Sequence, residues 1–576
     1  MLRIMSSHTF FGEKMTMIKL KNVKNRKEFA EFIGVPLQKL TYVLYIAKID
    51  NLYTSFQIPK RSGGVRTINA PQKDLLDMQK KLAKLLATHK SIVQEENHIK
   101  LNISHGFEKN RSIITNAKIH RNKRFVFNVD IENFFDSFHF GRVKGYFEKN
   151  NNFELPSEVA TIIAQLCCYK GVLPQGAPTS PIITNLICNI LDIRLLKLGK
   201  KHNLDYSRYA DDLTFSTNDR LFLISESLFY DELTKEIESA GFKLNEQKSR
   251  LQFKDSRQTV TGLVVNEKIN VDRRYYKETR AMANKLYKTG IFEINNQSAT
   301  IKQLEGRLTF INNIQRYNNS IDGKKHDPWS LNSKEKQYRA FLFYKYFFAN
   351  EKPLIVTEGK TDVKYLKAAL KKYWELYPNL ISKDSKGDFS FKVSFLNRTK
   401  RLSYFFGINR DGADALKNLY NFFTSSSQNN PPNYLYYFKK ISNRNPANPV
   451  IMIFDNELVN KKKPLSKFAN HCKLNEDSRN NLQTQLYIRL QDNLFLMTNP
   501  LVEGKEECEI EDLFGEDVLN TKISGKIFSR EKKADPKEHY GKEIFSNFIT
   551  NEYEKIDFEN FKPMLDNLSR IVENYK

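Results

Sequence analysis

Apolar and polar positions alternate through TSFQIPKRSGGVRTINAP (54–71) and break at Ser62-Gly63-Gly64, which predicts a β-hairpin. Apolar residues then recur every three or four positions in LLDMQKKLAKLLATHKSI (75–92), the spacing of an amphipathic helix. From 124 the period changes: RFVFNVDIENFFDSF reads as an apolar strand that runs straight into an acidic, aromatic turn, so Asp130 is a carboxylate ending a buried strand. GVLPQGAPTSPIITNLICNILD (171–192) predicts a Gly/Pro loop and a long apolar helix, and DYSRYADDLTFST (205–217) two strands around a tight acidic turn. RQTVTGLVVN (257–266) reads as one more strand, and helices rich in Arg, Lys and Tyr follow from 272 to about 318.

The polar stretch NNSIDGKKHDPWSLNSKEK (318–336) is the linker candidate, and the apolar FLFYKYFF after it fits a packed connecting helix. A second α/β pattern begins at 353 with PLIVTEGKTDVKYLKAAL, a strand, turn and helix, and returns in NPVIMIFDNE, a strand with acids at its end. The Ser/Asn/Pro-rich SSSQNNPPNYLYYFKKISNRNPANP between them reads as a surface excursion. In the tail, Phe558, Phe561, Leu565, Leu568 and Val572 keep helical spacing, with Pro563 marking the helix start; packing on its own domain is favoured over self-association as a homo-oligomer.

Composition narrows the partners. At roughly 100–200 residues per domain, 576 residues give room for three to five folding units. Hydrophobic residues at 40% and aromatics at 12% exclude a disordered scaffold. Lys plus Arg number 92 against 66 Asp plus Glu, a formal charge of +26, and residues 1–350 hold 56 basic against 35 acidic residues. That asymmetry points to a polyanionic partner engaged by the N-terminal part. No apolar run is long enough for a membrane span and the N-terminus carries no signal-peptide core, so a cytoplasmic protein without membrane contact is expected. The five cysteines form no CxxC pair or zinc spacing and read as buried, reduced thiols.

Nucleotidyl transfer uses two divalent cations about 3.5–4 Å apart bridged by carboxylates. Asp130 at one strand end, and Asp211 with Asp212 in a turn between two others, would meet if those strands pair antiparallel. FNVDIENFFDSF, LPQGAPTSP, YADD, GFKLNEQKSR and VTGLVV also occur in the order and near the spacing of the successive motifs of reverse transcriptases. The chain resembles that family over about residues 20–340. The resemblance implies an α+β right-hand fold of fingers, palm and thumb. It assigns Asp130, Asp211 and Asp212 as catalytic ligands of a two-metal Mg²⁺ site, and Phe135 as the gate against a ribose 2′-hydroxyl. It also implies Gln175 and Gly176 at the nascent pair and template, Lys60 and Arg66 on the triphosphate of the incoming dNTP, and Lys248 as proton donor to pyrophosphate.

Two segments bring the resemblance closest to retron enzymes: Asn116-Ala117-Lys118-Ile119-His120 before the catalytic strand, and Val260-Thr261-Gly262-Leu263 after the palm. Retron enzymes imply a dedicated non-coding RNA as template and, through one 2′-hydroxyl, as primer, with a branched RNA–DNA molecule (msDNA) as product. Arg273, Lys277 and Arg280 fall on one helix face beside Tyr275 and Tyr276, a cationic and aromatic surface suited to RNA.

In the second α/β pattern, Glu358 of Thr357-Glu358-Gly359 lies between strand and helix, and Asp455 and Glu457 end the later strand. Strand-end carboxylates face the crevice at a sheet's C-terminal edge and suit one or two Mg²⁺ or Mn²⁺ ions acting on a phosphodiester. The pair resembles a Toprim domain over about 350–520. That implies Glu358 as acid/base or metal-binding glutamate and Asp455 with Glu457 as the metal-binding pair, while Asp362 and Glu511 match further ligand positions of the OLD-type nuclease branch. The usual second Asp is Glu457 here, one methylene longer.

The expected organisation is an extension (1–19), reverse transcriptase fingers and palm (20–255), a thumb with basic helices (256–340), a connector (341–352), an α/β Toprim domain (353–520) and a helical tail (521–576). The expected function is a retron RNA-directed DNA polymerase carrying a Toprim nuclease effector in anti-phage defence. The alternatives are a defence enzyme with a catalytically silent Toprim scaffold, and a general cDNA synthase with no dedicated RNA. The first sixteen residues show no pattern that chooses among Met1, Met15 and Met17 as the start.

Overall fold

The computed structural model describes residues 20–60, 63–96, 103–408, 414–425, 431–531 and 534–575. The expected extension at 1–19, the choice of start and Ser62 of the hairpin turn lie outside the described residues. The chain divides into two compact units, Met1–Asp272 and Arg273–Lys576.

In the first unit the hairpin forms where the alternation placed it, from β1 (Tyr53–Pro59) and β2 (Val65–Pro71), followed by helix α1 (Lys73–Glu96). Helix α2 (Ile113–Ile119) starts in a reciprocal cap between Ser112 and Thr115 and leads into β3 (Phe125–Asp130). The long apolar helix α3 (Ser180–Lys201) precedes β4 (Asp205–Tyr209) and β5 (Asp212–Thr217); helix α4 (Phe222–Ser239) and strand β6 (Arg250–Phe253) follow. These strands make one antiparallel sheet in the order β4-β5-β3-β6. Its inward side chains, among them Phe127, Val129, Leu213 and Phe215, join Phe229, Leu233 and Ile237 of α4 and Leu191 and Leu195 of α3 in one core. Each such large apolar side chain contributes about 1.5–3 kcal/mol when fully buried.

The apolar run at 257–266 is not one strand. It folds as β7 (Thr259–Val260) and β8 (Leu263–Val264), closed by Thr261 (φ 45°) and Gly262 (φ 80°). Two successive positive φ angles suit the right-handed twist of a tight hairpin, and the β-branched residues around the turn hide it in the sequence.

In the second unit, helices α5 (Arg273–Thr289), α6 (Ile301–Ile321) and α7 (Ser333–Phe343) come first. The segment between α6 and α7, expected as a linker, is fastened within the unit: His326 stacks on Tyr404 with ring centroids 3.5 Å apart, and Arg339 donates to the Pro328 carbonyl at 2.8 Å. Strand β9 (Leu354–Thr357) enters helix α8 (Asp362–Lys372), and β10 (Ser394–Phe395) follows. Helix α9 (Tyr434–Ser442) of the inserted segment precedes β11 (Val450–Phe454), β12 (Tyr487–Gln491) and β13 (Leu494–Thr498). The sheet order is β10-β9-β11-β13-β12, parallel except for β12.

Both faces of this sheet are buried, which its continuous apolar strands require. Leu354, Val356, Val450, Met452, Leu494 and Leu496 face a core built with Leu286 of α5, Leu308 of α6 and Phe341 of α7. The basic helices expected as a thumb therefore share a core with the C-terminal sheet. On the other face Ile355, Ile451, Ile453 and Met497 pack with α8, with helix α10 (Lys542–Asn551) and with the tail helix α11 (Lys562–Asn574), whose Leu565 and Leu568 are buried beside Phe558 and Phe561. Pro563 stands in the first turn of α11, as expected. No described helix is long and apolar enough to cross a membrane.

Candidate active sites

The antiparallel register of β3 and β5 sets Asp130 opposite Asp212, and Asp211 occupies the turn between β4 and β5, where its carbonyl accepts from the Ile131 amide at 3.1 Å. The structure thus brings the three acids together. The turn needs Ala210 at φ 57°, and Gly106 lies so close beneath it that an added Cβ would stand 2.6 Å from the Ala210 nitrogen. Arg208, fully buried, holds the turn from below. Its Nε and Nη2 each reach an Asp192 oxygen at 2.8 Å, and its Nη1 donates to the Ala210 carbonyl at 3.2 Å. Neither Arg208 nor Asp192 stood out as functional. The available signal was Asp192, a carboxylate inside the apolar stretch LICNILDIRLL; Arg208, in the polar DYSRYADD, gave none.

The Asn116–His120 segment braces the same hairpin from its other face. His120 is buried with one ring nitrogen 2.7 Å from the Ser207 hydroxyl on β4 and the other 2.7 Å from Ser216 on β5, and Asn116 accepts from Ser207 at 2.6 Å. Burial, then the nearby Lys123, lowers the His120 pKa to about 3, so the ring is neutral.

A cavity of about 450 Å³ opens over this edge of the sheet, lined by Asp130, Asp212, Lys248, Arg250 and the Thr261-Gly262 turn. Lys248 Nζ meets Asp130 Oδ1 at 2.8 Å, which raises the lysine pKa. Burial raises the Asp211 carboxyl, with repulsion from Asp130 adding to it and Lys248 and Arg66 opposing. Desolvation, then repulsion from Asp211 and Asp130, pushes Asp212 up to about 7, although the residue is exposed at the cavity mouth, where water moderates the effect. Three clustered acids, of which only Asp130 holds an ammonium group, are a donor set that fits hard divalent cations. Among the described residues no three His, Cys, Asp or Glu side chains already converge as metal ligands.

The remaining expected residues take separate places. Arg66 pairs with Ile58 across the exposed β1–β2 hairpin, and the Lys60 amide closes that hairpin on Gly64. Gln175 anchors its loop to β2 by accepting from the Asn69 amide at 2.8 Å. Gly176, at φ 124°, leaves only 2.7 Å between an added Cβ and the Asn69 carbonyl oxygen. Phe135 is half-buried, edge-on to Phe134, and is not among the residues lining the cavity. Arg273, Lys277 and Arg280 lie on the exposed side of α5.

In the second unit, β9 has β10 on one side and β11 on the other, so the chain changes direction across the sheet at β9. Ligand sites of α/β sheets lie at such switch points, beyond the strands' carboxyl ends. Glu358 follows β9 there and Asp455 follows β11, with the Glu358 amide donating to the Ile453 carbonyl at 3.1 Å. Asp362 opens α8 and accepts from the Gly359 amide at 2.7 Å. Asp455 accepts from the Ile510 amide and Asn499 at 2.8 and 2.9 Å, Glu457 from Lys463, and Glu511 from Lys542 at 2.9 Å.

All five expected carboxylates therefore gather here, and burial raises each of them. For Glu358, burial, then repulsion from Glu457 and Asp362, pushes the carboxyl up to about 7; for Asp455, burial and then Asp362, Glu358 and Glu511 raise it well above the usual range. The Glu358 Oε2 is buried with no hydrogen-bond partner. An orphaned carboxylate oxygen amid four more acids, of which Glu457 and Glu511 are buried and Asp362 and Asp455 half-buried, fits a cation-binding role in kind. Lys542, Lys463 and Tyr365, whose hydroxyl reaches Glu511 at 3.3 Å, were not anticipated, since their sequence positions carry no motif.

An antiparallel sheet with this acidic hairpin, closed by a fingers-type hairpin and a Pro-Gln-Gly loop, defines the palm of a template-copying polymerase. The family described as reverse transcriptase (RNA-dependent DNA polymerase) matches residues 58–270. The retron Ec86 reverse transcriptase of Escherichia coli is 30% identical over 323 residues, covering 55% of this chain and 92% of that protein. The retron Mx162 reverse transcriptase of Myxococcus xanthus is 32% identical over 326 residues, covering 51% of this chain and 64% of that protein. The retron Mx65 enzyme of the same organism is 33% identical over 245 residues, 40% of this chain and 55% of that protein. The chain thus spans less than two thirds of the two Myxococcus enzymes. The chain belongs to the retron reverse transcriptases and is an RNA-directed DNA polymerase. Among solved structures, telomerase from Candida albicans matches at 12% identity over 51% of this chain and 60% of that one, with a TM-score of 0.28, too low to add to the argument.

Proposed function

We propose that this polymerase copies part of a dedicated non-coding RNA into a branched RNA–DNA molecule primed from an RNA 2′-hydroxyl, and that its second unit is a Toprim-type nuclease serving anti-phage defence in the cytoplasm. The observation that carries the polymerase chemistry is the register that sets Asp130 against Asp212 beside Asp211. These three carboxylates would hold two Mg²⁺ ions, which when bound activate the attacking hydroxyl and stabilise the leaving pyrophosphate. Lys248 keeps its proton at Nζ and is placed to give it to the pyrophosphate. Lys60 and Arg66 bind the triphosphate, Gln175 and Gly176 orient the nascent pair, and Phe135 excludes the ribose 2′-hydroxyl. Arg273, Lys277 and Arg280 bind the partner RNA.

In the second unit Asp362, Asp455, Glu457 and Glu511 would hold one or two Mg²⁺ or Mn²⁺ ions, which when bound polarise a phosphodiester. Glu358, with its raised carboxyl, takes and returns a proton near neutral pH. The support for this reading is the orphaned Glu358 oxygen beside the buried Glu457 and Glu511 and the half-buried Asp362 and Asp455.

The test is to purify the protein from cells carrying its native flanking DNA, beside Asp211→Asn/Asp212→Asn and Glu358→Gln/Asp455→Asn variants. Sequencing of bound nucleic acid before and after debranching should find one discrete DNA joined 2′–5′ to RNA, absent from the first variant and present in the second. Phage protection should be lost in both. Heterogeneous cDNA would sink the dedicated-RNA reading, and protection surviving the second variant would sink the nuclease reading.

A further inference from the structure

Five side chains, Arg273, Lys277, Arg280, Asn284 and Lys288, recur along one face of α5 at helical spacing. None of the four cations among them has a carboxylate partner among the described residues, whereas their neighbours Arg274 and Lys285 are paired with Glu278 and Glu293. At 1.5 Å rise per residue the stripe is about 22 Å long. That is several phosphates of a nucleic-acid strand, far more than one free nucleotide would need.

Beside its middle lies a polar cavity of about 470 Å³, within the ~300–1,000 Å³ range of small-ligand pockets. Lys277, Arg280, Asn284 and Tyr287 come from α5, Gln337 from α7, and Tyr437 from α9 of the inserted segment. Tyr437 is 43% exposed, while Tyr287 is only 4% exposed and its hydroxyl has no hydrogen-bond partner. The Asn284 and Gln337 amides also make no hydrogen bond among the described residues.

Each group answers one part of a nucleotide. The cations meet phosphate, the amides offer donor and acceptor to a base edge, and the Tyr437 ring offers a stacking face. An acidic peptide would use only the cations, and an apolar ligand would gain little from these walls.

We infer that this cavity takes one unpaired nucleotide, splayed out of the RNA that lies along the α5 stripe, with its base stacked on Tyr437. The inference rests on the proposed RNA-binding role of α5 and extends it to α9, which carries no sequence motif. RNA contact is thereby shared by the segment inserted before the C-terminal acidic strand.

The full chain purified with its RNA from cells carrying the native flanking DNA provides the test. The eluted RNA is rebound to wild type, Tyr437→Ala, Tyr437→Phe, Asn284→Ala and Lys277→Gln, with melting temperatures as a fold control. Tyr437→Ala should weaken binding at least about fivefold and Tyr437→Phe should restore it. Lys277→Gln should lower the slope of log K against log salt by about 0.7–0.9. Ultraviolet crosslinking of the native complex should place an RNA adduct within 434–442. Affinities within twofold for both alanine variants, or no such adduct, would overturn the inference. Saturable binding of 5′-AMP, GMP, CMP or UMP that is lost in Tyr437→Ala while RNA affinity is unchanged would overturn it in favour of a free nucleotide. Wild type that carries no RNA would bring down the dedicated-RNA reading together with this one, a failure distinguishable because it precedes any variant.

Discussion

Arg208 and Asp192 meet as a two-pronged ion pair, both bonds 2.8 Å, directly beneath the turn that carries Asp211 and Asp212. The guanidinium is wholly buried, so its desolvation is offset only while the fork, the Ala210 carbonyl and Asn185 all engage it. The pair fixes the backbone on which two of the three palm acids stand.

Arg208→Met should therefore destabilise the first unit by about 3–5 kcal/mol, because it leaves Asp192 buried without its partner. Arg208→Lys should also lose primer extension, since an ammonium cannot reproduce the fork. Denaturant titration and extension assays check this; full activity in Arg208→Lys would refute the positioning role.

Asp212→Asn should abolish DNA synthesis without loss of stability. A carboxyl raised to about 7 from an unfolded value near 3.9 contributes stability that is complete below about pH 4 and is lost as pH rises through 7. Without divalent ions, the variant should show a flatter melting-temperature profile than wild type between pH 4 and 7. An equal slope in both proteins would contradict the repulsion described here.

His120 gives the opposite slope. Its ring is neutral in the fold, with a pKa near 3 against about 6.5 unfolded, so stability is complete above pH 6.5 and falls progressively as pH drops towards 3. His120→Gln should remove that acid-side loss. The change in slope across pH 6.5 to 4, read by thermal melting, is the measurement, and an unchanged slope counts against a buried neutral ring.

Gly176→Ala should cost about 1–3 kcal/mol in backbone strain alone. It would also press a methyl group against the Asn69 carbonyl and so lift the Pro-Gln-Gly loop from β2. Reduced extension with a lowered melting temperature is expected. A wild-type rate would show that the loop's seat on the hairpin is unimportant.

Much of the first site was legible because its chemistry is local: Asp130 ends an apolar strand, and Asp211 with Asp212 sits in a turn flanked by alternating residues. The supports were not legible, because Arg208 finds Asp192 sixteen residues away, and Asn116 and His120 reach strands some ninety residues on. The Thr261-Gly262 turn was hidden by β-branched neighbours that read as continuous strand. In the second unit Glu358 and Asp455 were visible at strand ends. The charge balance supplied by Lys542 and Lys463 was not, since nothing in the sequence separates Lys463 from Lys461 and Lys462 beside it, and Lys542 stands in no pattern.

The core that joins Leu286, Leu308 and Phe341 to Leu354, Val450 and Leu496 has a practical meaning for anyone who cuts or recombines this gene. A truncation placed after the helical segment, just beyond Phe343, would strip three helices of the sheet that covers them and expose aromatic surface prone to aggregation. Modular exchange with other retron enzymes should instead splice at Asp272/Arg273 and carry everything beyond it as a single cassette.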